Sequence, residues 1–106
     1  MKKEDRRVRG RKGTFMTKWL ECRIFPGQFT GEYAVQGKLF DDTGFSLFAE
    51  EEDVRFSGEP SFDNAVDGLI RIELGPRKDD LLLVTLPQPT FENGQTITVR
   101  ASQIRN

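Results

Sequence analysis

The chain of 106 residues contains no histidine and a single cysteine, and these two absences remove most familiar catalytic and metal sites. Without histidine, one chain cannot form a Ser-His-Asp or Cys-His arrangement, and general acid-base chemistry near pH 7 loses its most common side chain. Histidine-ligated zinc or iron is excluded, and one cysteine cannot build a thiolate zinc site. We therefore predict that the chain is not an enzyme and has no cofactor.

Long apolar runs are also missing. The longest aliphatic run, from Leu81 to Val84, is far shorter than the roughly 20 residues that a membrane-spanning helix needs. The residues after Lys2 are charged, which is not the pattern of a signal peptide. The lone Cys22 cannot form an internal disulfide, and this favours a reducing compartment. We predict no membrane segment and a cytoplasmic location.

The near-neutral net charge of −1 conceals a strong asymmetry. Through Lys18 the chain carries eight bases against two acids, a net charge of +6, and the remainder carries eight bases against fifteen acids. A basic segment on an acidic body indicates either an anionic partner or a segment that folds back on its own domain.

The basic N-terminal segment has no hydrophobic period as far as about Gly13, so residues 1–14 are predicted to be a flexible arm and residues 15–106 one small domain. Such an arm supports at most weak, non-specific binding of RNA or DNA. Met16 stands at the boundary and is an alternative translation start, with the arm then a dispensable tail. The candidate phosphate contacts are Arg6, Arg7, Arg9, Arg11 and Lys12.

Short segments with a period of two follow the arm. In "TKWLECRIF", Leu20, Cys22 and Ile24 alternate with charged residues, which predicts a strand with Cys22 buried as a small apolar side chain. Residues 33–47 predict a hairpin, in which Gly44 is free to take a positive φ and Gly37 indicates a bulge or bend. A short strand is expected at 54–56 and a long loop at 57–68.

The second half of the sequence again shows short alternating segments separated by turn-forming residues. Strands are predicted at 69–74, 81–86 and 96–100, with a turn at 75–80 and with Pro87 and Pro89 ending the middle strand. Six to seven short strands without an amphipathic helix predict an all-β fold, a small single-domain barrel of the SH3-like or a related type.

The most promising partner surface is the hairpin from Tyr33 to Ala49 together with the acidic run that follows it. These residues combine aromatic rings with negative charge, and we predict that they bind a partner protein or a second copy of the chain. The candidate residues are Tyr33, Phe40, Phe45, Phe48, Glu50, Glu51, Glu52 and Asp53.

Two other functions remain open. Nucleic-acid binding would use the basic arm, with barrel aromatics stacking on bases. An enzyme without histidine would rely on carboxylates, Tyr33 or Ser46, and the acidic run could hold a divalent cation. For Glu50 to Asp53 the simpler interpretation is a solvated turn at a sheet edge, and for Asp41 and Asp42 it is turn formation.

Overall fold

The computed structural model describes residues 17–106, which form one curled antiparallel sheet of eight strands, a half-barrel. The strands are β1 (Lys18–Pro26), β2 (Glu32–Lys38), β3 (Gly44–Glu50), β4 (Val54–Phe56), β5 (Val66–Lys78), β6 (Leu81–Thr90), β7 (Gly94–Arg100) and β8 (Ile104–Arg105). Within these residues the only helical segments are two 3₁₀ turns, Glu51–Asp53 and Ala101–Gln103. The predicted all-β class is confirmed, and the predicted arm lies outside the described residues.

The sheet has the strand order β3, β2, β1, β5, β6, β7. The long strand β5 pairs first with β1, through Val66 to Ile72, and then with β6, through Glu73 to Lys78. Two short strands complete the sheet, β4 beside β5 and β8 beside β1. Because β5 pairs with β1 along its first part and with β6 along its second part, the sheet curls and β3 approaches β6.

The core lies inside this curl and follows the predicted alternation. Leu20, Cys22 and Ile24 of β1 are buried, as are Ile97 and Val99 of β7. Side chains of successive residues point to opposite faces of a strand, so the period of two in the sequence translates directly into an inner and an outer face.

The β5–β6 hairpin differs from the prediction. The segment 75–80 was expected to be a turn, but β5 continues to Lys78 and the turn is formed by Asp79 and Asp80, with Asp79 at φ 56°. The register shifts between Leu74 and Arg77, so a β-bulge holds Gly75 and Pro76 within the ladder. The bulge removes the need for a proline N–H, which is why Pro76 does not end the strand.

The prediction that Pro87 and Pro89 end β6 is also wrong. Strand β6 continues to Thr90, and its pairing with β7 is irregular between Thr85 and Thr90. The prolines lie in this irregular stretch, where no regular ladder requires their missing N–H. The side chain of Gln95 donates to the carbonyl oxygen of Leu86 at 2.9 Å and spans part of the gap.

The β2–β3 turn confirms the turn-forming role of Asp41. Its carboxylate accepts hydrogen bonds from the hydroxyl and the backbone N–H of Thr43. These bonds, the hydroxyl first, lower the pKa of Asp41. The positive φ of 69° belongs to Asp42 and not to Gly44, because a short Asp side chain tolerates the left-handed region.

Gly37 does not mark a bulge. It pairs in regular register with Phe45, and a Cβ atom at position 37 would lie 2.4 Å from the Cζ atom of the Phe45 ring. The glycine therefore makes room for the ring on the inner face.

A seam joins β3 to the β6–β7 turn across the curled sheet. The N–H of Phe91 donates to the carbonyl oxygen of Ser46 at 2.9 Å. The carboxylate of Glu92 accepts from the Ser46 hydroxyl at 2.6 Å and from its N–H at 2.8 Å, and these bonds lower the pKa of Glu92. An ionised carboxylate thus satisfies part of the free edge of β3.

Candidate functional site: a basic groove and an aromatic end

A groove of about 1190 Å³ crosses the middle of β1. It forms because the ladder on one edge of β1 is interrupted: β2 pairs with Arg23 to Pro26, and β8 pairs with Trp19 and Leu20. Glu21 and Cys22 have no neighbouring strand on that edge. The Gln103 side chain spans the gap by donating to the carbonyl oxygen of Lys38 at 2.9 Å.

Positive charge is concentrated in this groove. Residues 17–106 carry nine bases and fifteen acids, and five of the bases but only three of the acids line the groove. The groove is therefore positive although the folded part as a whole is negative. We call it the basic groove; its bases are Arg23, Lys38, Arg55, Arg100 and Arg105, and its acids are Glu21, Asp42 and Asp67.

Three of the groove arginines make ion pairs with groove acids. Arg23 lies 3.4 Å from Asp67, Arg100 lies 3.6 Å from Asp42, and Arg105 pairs with Glu21. All six side chains are substantially exposed, and such pairs contribute about 0–1 kcal/mol each. The arginines can therefore exchange these partners for a ligand anion at low cost.

The remaining two bases, Lys38 and Arg55, make no ion pair within residues 17–106. The Arg55 guanidinium lies over the ring of Trp19, 4.0 Å from its centroid. Trp19 is on the outer face of β1 but only 6% exposed, so both faces of β1 are covered at this position. The stacking holds Arg55 beside the groove.

Cys22 borders the groove, but its thiol is buried. Burial raises the pKa of its thiol to about 12, and the prediction of a buried core cysteine is confirmed. Because the thiolate is the reactive form, alkylation of the native protein by iodoacetamide at pH 8 is expected to be about 1,000-fold slower than that of the urea-unfolded chain. Mass spectrometry of timed samples measures both rates, and comparable rates would contradict the burial.

The predicted partner surface is not assembled as one patch. Phe45 is 2% exposed in the core, because it alternates on β3 with the outward-facing Phe48. Asp53 is 6% exposed and pairs with Arg71, so it is not a surface acid. These two residues are corrections to the candidate set. Phe40 lies in the β2–β3 turn and is partly exposed.

The other predicted acids lie at one end of the barrel. Glu50 ends β3, and Glu51 and Glu52 begin the 3₁₀ turn that follows. The N–H of Glu51 donates to the carbonyl oxygen of Gly31, which holds this turn against the β1–β2 loop. Within residues 17–106 no group of three or more acidic or cysteine side chains is arranged to hold a metal ion.

The same end carries four aromatic rings. Tyr33 and Phe56 are half-buried and pack edge to face, with ring centroids 4.9 Å apart. Phe29 and Phe62 are 72% and 77% exposed in the β1–β2 and β4–β5 loops. Both loops leave the sheet beside the end of β1, since Ile24 pairs with Val66 and Pro26 with Tyr33. We call these four residues the aromatic end.

Sequence reasoning found Tyr33 and the acids but missed the basic groove. Its five bases are scattered from position 23 to position 105, and no local pattern connects them. The exposure of Phe29 and Phe62 has a local signal, since both lie in stretches rich in turn-forming residues.

Comparison with protein-family models, with curated proteins and with solved structures gives no match for this chain. Among residues 17–106 no helix has the length and apolar character needed to cross a membrane. The function must therefore be argued from the two surfaces.

Proposed function

We propose that this chain is a non-catalytic binding module, an SH3-like barrel of the cytoplasm, that docks on a partner protein through the aromatic end. The observation that carries the proposal is the exposure of Phe29 and Phe62, 72% and 77%, on two loops at the same end of the sheet. Aromatic side chains that enter pockets of a partner dominate many protein interfaces.

The charges around these rings indicate the chemistry of the partner. Glu32 and Glu50 are paired directly across β2 and β3, an arrangement of like charges that lowers stability. Glu51 lies beside them, and Glu59 and Asp63 flank Phe62 in its loop. The partner would therefore present apolar pockets bordered by Lys and Arg.

The same charges argue against a homodimer formed through this end. Two copies placed end to end would bring two acidic rims together, and this juxtaposition of like charges opposes association. A different protein with basic residues around its pockets fits the aromatic end better than a second copy does.

The remaining carboxyl groups support a non-catalytic role. Among residues 17–106, the pKa values of Asp41 and Glu92 are lowered by hydrogen bonds from Thr43 and Ser46. A general acid near pH 7 requires the opposite shift. Both carboxylates instead organise the backbone of the β2–β3 turn and the seam.

A pair of matched variants tests the proposal. Replacing Phe29 and Phe62 together by serine is expected to weaken partner binding at least tenfold, because each ring contributes about 1–2 kcal/mol when buried in a pocket. Phe91→Ser is the control, since Phe91 is 70% exposed but lies at the seam. Affinity capture at low salt followed by titration calorimetry with the captured protein measures the effect.

Equal binding by the wild type, the double variant and the control would exclude the aromatic end as the docking surface. Sedimentation of the purified chain provides the second criterion. If low-salt capture finds no partner and the chain sediments as a monomer, the binding-module proposal fails.

A further inference from the structure

The basic groove shares Phe56 with the aromatic end, but the proposed function does not use the charged residues of the groove. Four of its five bases are arginines, whose planar guanidinium groups match phosphate oxygens. Their weak, exposed ion pairs leave them able to change partners, and Lys38 and Arg55 make no ion pair within the described part of the chain. A groove of this composition is suited to a chain of anions.

The walls of the groove are not uniformly charged. Phe56 and Leu69 line it together with the bases, so apolar surface is available beside the cationic groups. Single-stranded nucleic acid combines these two requirements, because its phosphates bind cations while its unpaired bases pack on aromatic and apolar side chains. A peptide of acidic residues alone would use the charges but leave the apolar surface without a matching group.

The sequence that precedes β1 is also positively charged. The sixteen residues that precede Thr17 carry seven bases and two acids. They join the barrel at the start of β1, where Trp19 pairs with Arg105 of the groove. The chain therefore carries further positive charge in the sequence directly before β1, of the sign that attracts a polyanion.

We propose that the basic groove binds single-stranded nucleic acid. Phosphates bind at Arg23, Lys38 and Arg55, and one or more bases pack on Phe56 and Leu69. The stacking of Arg55 on Trp19 fixes a cation at the groove in advance and leaves the outer edge of its guanidinium for a phosphate oxygen.

The test is a binding titration of the full chain with a fluorescein-labelled dT12 oligonucleotide, followed by anisotropy at 50 mM and 200 mM salt. For three to five contacted phosphates, the slope of log K against log salt is expected to be about −2 to −3.5. The double variant Lys38→Gln/Arg55→Gln is expected to bind about tenfold more weakly, with a slope smaller by about 1.4.

The matched control is Arg77→Gln/Lys78→Gln, which removes the same charge from the β5–β6 hairpin, outside the groove. It is expected to change affinity less than threefold. Thermal melts establish that each variant folds. The single tryptophan gives an independent signal, because dT12 bound beside Arg55 should alter the fluorescence of Trp19 in the wild type.

Three results would overturn the proposal. The first is no dT12 binding at 50 mM salt. The second is equal losses in the groove variant and the control, which would assign binding to the basic N-terminal segment or to net charge alone. The third is displacement of dT12 by a glutamate dodecamer at the same concentration as unlabelled dT12, which would assign the groove to an acidic protein segment.

Discussion

Phe45→Ala is expected to lower the free energy of unfolding by about 3–5 kcal/mol. Phe45 is the largest of the fully buried side chains, and its ring fills the space that Gly37 leaves on the facing strand. Removing the ring loses its transfer free energy and leaves a cavity that the surrounding strands close only in part. Urea unfolding followed by circular dichroism measures the change. A loss below 1 kcal/mol would show that the ring is not a core element.

A second substitution tests whether the Phe45 ring packs against Gly37. Gly37→Ala alone should cost about 1–3 kcal/mol, because the new methyl group meets the Phe45 ring, whereas in the Phe45→Ala background it should cost much less. Gly44→Ala serves as the control, since the nearest atom to its Cβ would be 3.8 Å away. Additive costs at positions 37 and 45 would contradict the packing of the ring against the glycine.

The fold was predictable where apolar and polar residues alternate along a strand. In β1 and β7 the alternation of apolar and polar residues assigns both the strand and its inner face. The prediction was wrong where a proline was taken to end a strand. Pro76 lies in a bulge, and Pro87 and Pro89 lie in an irregular part of the β6–β7 ladder, so pairing continues beyond each of them.

The functional surfaces were less predictable because they depend on which strands become neighbours. Adjacent residues of one hairpin were grouped into a partner surface, but alternation sends Phe45 inward and Phe48 outward. The basic groove arises from the gap between β2 and β8 along β1, which no local sequence pattern specifies. Arg23 and Arg105 line the same groove although they are far apart in sequence.

The two proposed sites share one structural element, β4, and its Phe56 belongs to both of them. Phe56 reaches the aromatic end through Tyr33, and Arg55 reaches Trp19 on the outer face. The strand has three residues, and within residues 17–106 its one strand neighbour is β5, which it contacts through Gly68 and its neighbours. The stability of this short pairing therefore limits how well both surfaces are organised.

Gly68→Ala is expected to cost about 3 kcal/mol and to lower the midpoint of thermal unfolding by about 15 °C. A Cβ atom at position 68 would lie 2.6 Å from the Cγ1 atom of Ile24 and 2.8 Å from the carbonyl oxygen of Arg55. Ile24 is fully buried and the carbonyl belongs to the backbone of β4, so neither neighbour can move aside alone. The strain is relieved by displacing β4 from β5.

Hydrogen exchange distinguishes this local displacement from a general loss of stability. In Gly68→Ala the amides of Val54 to Phe56 should exchange faster by a larger factor than those of the β6–β7 pairing, because only β4 is pushed from its partner. Gly44→Ala should leave both sets unchanged. A melting temperature and β4 exchange rates equal to those of the wild type would show that β4 is not packed against Gly68. The inference that β4 supports both the aromatic end and the basic groove would then be wrong.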